Sequence, residues 1–160
     1  MATIVAGCMT SHGPNITAKP AITDQQQRVR FVKVMEDARR RLEAARPDVL
    51  VVCSNDHLQN FFYTNMPSFL RIPARQIQGA TAWGKALVER ALDHGFDVAY
   101  SHELEFWDDL SVPLSFLMPE STIPVVPILI NCVAPPLPRP RRVYELGGLI
   151  GSFIEHVRPA

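Results

Sequence analysis

The sequence predicts an α/β fold: a single domain over residues 1–160, with a mostly parallel central sheet and helices on both faces. Three observations carry that expectation. The first is the stretch Pro47-Asp48-Val49-Leu50-Val51-Val52-Cys53-Ser54-Asn55-Asp56-His57, an apolar run between a proline and a polar end. Such a run fits a strand covered on both faces of a parallel sheet. The second is the segment ahead of it. Val29, Val32, Met35, Ala38, Leu42 and Ala45 recur at three- and four-residue steps, the spacing of one helix face. The third is that apolar runs and helical spacings go on alternating to the end of the chain, the order of an α/β domain.

Each element has its own warrant. Ala2 to Gly7 is apolar and short, and is expected to be the first strand. Cys8 to Pro20 is a loop broken by Gly13 and Pro14, and it carries His12. Thr23 or Asp24 can cap the helix that follows. Pro47 ends that helix, because the residue before a proline avoids helical backbone angles. Strand, helix and strand then form the crossover that parallel pairing requires. Ser68 to Ile72 is the next expected strand, and Thr81 to Leu92 a helix stopped by His94-Gly95. Phe96 to Tyr100 is expected as a strand, Ser101 to Asp109 as an acidic loop, and Val112 to Leu117 as a short helix. Ile123 to Ile130 is a strand that must accommodate Pro124 and Pro127 at its start or at an irregularity. Val143, Leu146, Ile150, Phe153, Ile154 and Val157 mark the last helix, weakened by Gly147, Gly148 and Gly151.

Composition excludes several classes. Apolar residues make up 47% of the 160 positions, and basic and acidic side chains balance at 16 each. That balance argues against a generic nucleic-acid or anionic-membrane binder. The arginine clusters Arg39-Arg40-Arg41 and Arg139 to Arg142 are accounted for by a solvated helix face and a helix start. No stretch is apolar for the ~20 residues a bilayer span needs, and no signal peptide is expected at the N-terminus. The three cysteines, Cys8, Cys53 and Cys132, lack paired spacing, which favours reduced thiols and a cytoplasmic protein. They are expected as small buried residues, with a soft zinc site shared with the histidines as the alternative.

Ligands of open α/β sheets sit outside the carboxyl ends of the strands. In this chain those ends carry His12, Asn55-Asp56-His57, the acidic segment 101 to 109, and Asn131. We expect His12 and His57 to meet at one sheet edge and hold a metal. Two neutral imidazoles and a carboxylate on one face leave coordination positions open, which is the non-haem Fe(II) oxygenase arrangement. Asn55 or Asp56 could orient an imidazole from behind. Phe61, Phe62, Tyr63, Phe106 and Trp107 could line a pocket for an aromatic ring. His94 and His156 fall at helix ends, where protonated imidazole is favourable.

Two motifs carry a family resemblance. Thr10-Ser11-His12-Gly13-Pro14 and Asn55-Asp56-His57 resemble the two histidine motifs of class III extradiol ring-cleavage dioxygenases. That superfamily is named after the catalytic subunit of protocatechuate 4,5-dioxygenase. Asn60-Phe61-Phe62, Asn65-Met66-Pro67, Gly95 to Ser101, Val112-Pro113-Leu114 and Ile123 to Pro138 are similar too. The resemblance implies the N-terminal part of that fold, His12 and His57 as ligands of catalytic Fe(II), and a catechol-type substrate opened with O2. It also marks departures. Asp108, in Trp107-Asp108-Asp109-Leu110-Ser111-Val112-Pro113-Leu114, stands where the family has a functional histidine. The segment Leu70 to Gly79 is shorter than the family's loop. The family's glutamate ligand and an acid/base histidine lie past the point where this sequence stops. The site is therefore expected to use Asp108 or Asp109 as a local carboxylate, or to be completed in a homo-oligomer or by a second chain. The alternatives are a non-catalytic subunit of the same family and a zinc hydrolase.

Overall fold

The computed structural model describes residues 2–13, 24–55, 78–101, 104, 108–120, 122–133 and 135–156. The expected strand Ser68 to Ile72, His57 and the aromatic group Phe61, Phe62, Tyr63, Phe106 and Trp107 lie outside these residues. Helix α1 spans Gln25–Ala45, β1 Leu50–Asn55, α2 Thr81–Asp93, α3 Asp108–Leu117, β2 Val125–Ile130 and α4 Pro140–His156.

Local chemistry sets most of these boundaries. Asp24 caps α1, its carboxylate accepting from the Gln27 N–H at 2.8 Å. The helix ends at Arg46, which takes a left-handed conformation (φ 47°) before Pro47. Helix α2 closes on Gly95 (φ 72°), whose N–H donates to Leu92 at 3.0 Å while Phe96 N–H donates to Ala91 at 2.9 Å. That pair of bonds is a Schellman closure, and glycine supplies its left-handed residue without steric cost.

Strands β1 and β2 pair in parallel, with Leu50 opposite Val125 and Asn55 opposite Ile130. On the far side of β2, the Val125 N–H donates to Gln78 and the Val125 carbonyl accepts from Ala80. β2 therefore lies between β1 and the short segment 78–80. Parallel strands send alternate backbone groups to opposite neighbours. The Pro124 carbonyl faces β1, accepting from Leu50 N–H at 2.9 Å, and Val125 faces the other way. By this alternation Pro127 also faces away from β1, so its missing N–H costs no bond of the β1–β2 ladder.

Alternation along the strands feeds two cores. On one face Leu110 and Leu114 of α3, with Met118, pack on Val125, Leu50 and Val52. On the other, Leu87 and Ala91 of α2 and Leu149, Ile150 and Phe153 of α4 pack on Val126. Trp83 meets Phe153 edge to face at 5.8 Å. Helix α1 lies outside α3, where Phe31 meets Phe116 edge to face at 5.5 Å. The sheet thus carries helices on both faces, as expected.

Three expectations are corrected. Ala2 to Gly7 is not a strand: residues 2–13 have no regular structure, and Ile4 and Met9 are 61% and 97% exposed. An apolar run states a preference for pleated, half-buried surface, but a strand exists only where a neighbour completes its hydrogen bonds. Phe96 to Tyr100 is likewise irregular; Phe96 and Val98 dock on the α2–α4 core without joining the sheet of the described residues. The third correction concerns the cysteines, which are all exposed rather than buried. Cys8 rides on the exposed N-terminal segment, and Cys132 lies in the loop after β2.

Candidate functional site

The carboxyl edge of the sheet gathers polar groups from separate elements. β1 ends on Ser54 and Asn55, both half-buried. The Ser54 hydroxyl donates to the backbone carbonyl of Asp109, in the first turn of α3, at 3.3 Å. The end of the strand that leads toward His57 is therefore tied to the helix start that carries Asp108. Asp108 and Asp109 both sit in that first turn, where the exposed N–H groups and the helix dipole favour negative charge. Asp108 is half-buried, and Asp109 beside it is buried.

Asn131 follows β2 at the same edge. Its side-chain carbonyl accepts from Val133 N–H at 3.2 Å, and its amide donates to Pro136 at 3.3 Å. These bonds fold the proline-rich loop back on the strand end. Cys132 beside it donates its thiol to the Ile130 carbonyl at 3.4 Å. Cys53, on β1, has its thiol ionisation pushed up by desolvation even though its surface remains accessible. Such a thiol is a poor nucleophile at neutral pH.

His12 is half-buried on the N-terminal segment. Two residues earlier, the Thr10 hydroxyl donates to the Met35 sulfur of α1 at 3.2 Å. The segment bearing His12 and the helix bearing Asp108 thus share a neighbour in α1. His57, two residues past the end of β1, lies outside the described residues. No group of three His, Cys, Asp or Glu side chains that could hold a metal occurs among the described residues. His12, His57 and Asp108 nevertheless supply the right donor types: two imidazole nitrogens and a carboxylate, a set that fits a divalent first-row metal. His94 and His156 do other work, each placing Nδ1 against a carbonyl of its own helix, Arg90 at 2.9 Å and Ser152 at 2.6 Å. Sequence reasoning passes over Ser54; the one signal available is Pro113, which has no N–H to donate one turn earlier.

The architecture defines the class first: an α/β chain whose polar residues collect past the carboxyl ends of parallel strands, with helices on either side. The chain belongs to the family described as the catalytic LigB subunit of aromatic ring-opening dioxygenase, which matches residues 6–159. It is 38% identical over 133 positions to a 2,3-dihydroxyphenylpropionate/2,3-dihydroxicinnamic acid 1,2-dioxygenase of Pseudomonas putida, covering 76% of this chain and 42% of that protein. The enzyme of the same name from Photorhabdus laumondii is 31% identical over 159 positions, covering 91% of this chain and 49% of that protein. A third, from Comamonas testosteroni, is 30% identical over 161 positions, covering 92% and 50%. The chain spans about half the length of the curated relatives it matches. Among the described residues no helix is long and apolar enough to cross a membrane.

Proposed function

We propose that this chain is an extradiol ring-cleavage dioxygenase-type protein that opens a catechol-type aromatic diol with Fe(II) and O2. The observation that carries the proposal is the family match across residues 6–159, within which both histidine motifs fall. His12 and His57 are the metal ligands, each through one neutral ring nitrogen. Asp108 is the third donor. It stands where the family has a histidine, in the first turn of α3, and offers an oxygen donor there in place of an imidazole nitrogen. When bound, the metal supplies Lewis acidity and a redox-active centre beside which diol and dioxygen are held. The protein's own part is to fix these donors at one edge and keep the diol oriented there. The relatives' names point to catechols with an acidic side chain as the first substrates to try.

Anaerobic loading with Fe(II), then addition of 2,3-dihydroxyphenylpropionate and air, tests this. The expected outcome is stoichiometric iron and a yellow ring-opened product. His12→Ala and His57→Ala should each lose both iron and colour, and Asp108→Ala should lose iron. Iron retained in Asp108→Ala would remove that residue from the ligand set; wild-type protein that takes up no iron would overturn the whole assignment.

A second reading is favoured by the exposed apolar side chains Ile4, Val5 and Met9 on the segment that carries His12. Exposed apolar patches mark interfaces. On this reading a second polypeptide completes the site, and activity appears only in the assembled species on size-exclusion chromatography.

A further inference from the structure

Pro113 lies inside α3, five residues after its start at Asp108. In an α-helix the N–H of residue 113 would donate to the carbonyl of residue 109, but proline has no N–H to give. The Ser54 hydroxyl reaches that same carbonyl at 3.3 Å, from a residue 55 positions earlier in the chain. Ser54 lies on the α3 face of β1, since its register partner Leu129 packs in the α3 core. The strand thus donates to the carbonyl that the proline cannot serve. Pro113 is itself buried, and its neighbours Leu110, Val112 and Leu114 fill the core, so the helix cannot shift away without opening the sheet's packing.

We propose that Ser54 is a positioning residue. Its hydroxyl replaces, at the Asp109 carbonyl, the hydrogen bond that Pro113 removes, and so holds the first turn of α3, with Asp108, against the strand end that leads to His57. The link joins the helix that carries Asp108 to the strand that precedes His57 in the sequence. Its functional half rests on the metal assignment made above. Its structural half rests only on the hydroxyl, the carbonyl and the proline.

A double-mutant cycle between Ser54→Ala and Pro113→Ala tests it on the full chain, with two readouts: the unfolding equilibrium in urea, and the affinity for Fe(II) alone measured anaerobically. Ser54→Ala should lower the folding equilibrium constant by about fivefold, the value of one hydrogen bond, and weaken Fe(II) binding several-fold. Ser54→Thr, which keeps the hydroxyl, should restore both. In the Pro113→Ala background the backbone N–H regained at position 113 serves the carbonyl, and Ser54→Ala should then cost little on either readout. Equal costs of Ser54→Ala in both backgrounds would overturn the proposal. So would Fe(II) affinity that is unchanged in Ser54→Ala while the wild type binds the metal. Wild-type protein that binds no Fe(II) would instead sink the metal assignment, and the positioning role with it.

Discussion

At Gly95 two backbone donors turn inward to close α2, and the φ of 72° needed for this is one that a side chain resists. A Cβ there would meet nothing within 4 Å, so the only penalty of Gly95→Ala is backbone strain. That substitution should destabilise the chain by about 1–2 kcal/mol, read as a lower denaturation midpoint with an unchanged slope. The adjoining Arg142 donates to the Gly95 carbonyl and lays its guanidinium 3.6 Å above the Phe96 ring, which carries the turn to the start of α4. Single residues of this kind are largely legible from sequence. The Asp24 cap, the Pro47 stop and the His94-Gly95 stop all act on backbone groups within four residues of themselves. Ser54 is not legible, because its partner is distant along the chain. His12 and His57 are legible as motifs, but a motif carries no position in space.

Elements are legible where their pattern is local. Helix α1, Gln25–Ala45, lies between the Asp24 cap and the Pro47 stop as expected, and α2 matches its expected limits to within one residue. Helix α3 starts at Asp108 rather than Val112. Its acidic first turn resembles loop because Asp favours loops and helix starts alike, and only the chain's path past β1 separates the two. The expected strands at 2–7 and 96–100 fail for one cause: pairing depends on which segments lie alongside, which local hydropathy does not state. The helices also carry a pH dependence. The Asp37 carboxyl is held below the usual carboxylate range by hydrogen bonds from Arg40 and Arg41, and Glu145 by those from Arg141 and Arg142. A carboxyl lowered in the folded state contributes stability above its unfolded value and loses it as pH falls through the folded one. Helix content followed by circular dichroism should therefore weaken on acidification through and below the ordinary carboxylate range. Asp37→Asn with Glu145→Gln should flatten that dependence, and added salt should do so partly, since both groups are exposed.

On the scale of the whole molecule, α3 covers one face of the sheet with α1 packed outside it, and α2 and α4 cover the other. This layering is foreseeable from the alternation of periods, and it puts the strands' carboxyl ends at a common margin. Which residues face one another across that margin is not foreseeable, because register is settled by packing on both faces at once. β2 sits innermost in this arrangement, bonded to β1 along one side and bridged to Gly79 on the other. Its first residue, Val125, is 1% exposed and has both backbone groups engaged by 78–80. Solvent deuterium should consequently reach the Val125 amide only through near-global unfolding, long after the amides of residues 2–13 have exchanged. Val125 then serves as an internal clock: the rate at which it takes up label reports the integrity of all the layers together.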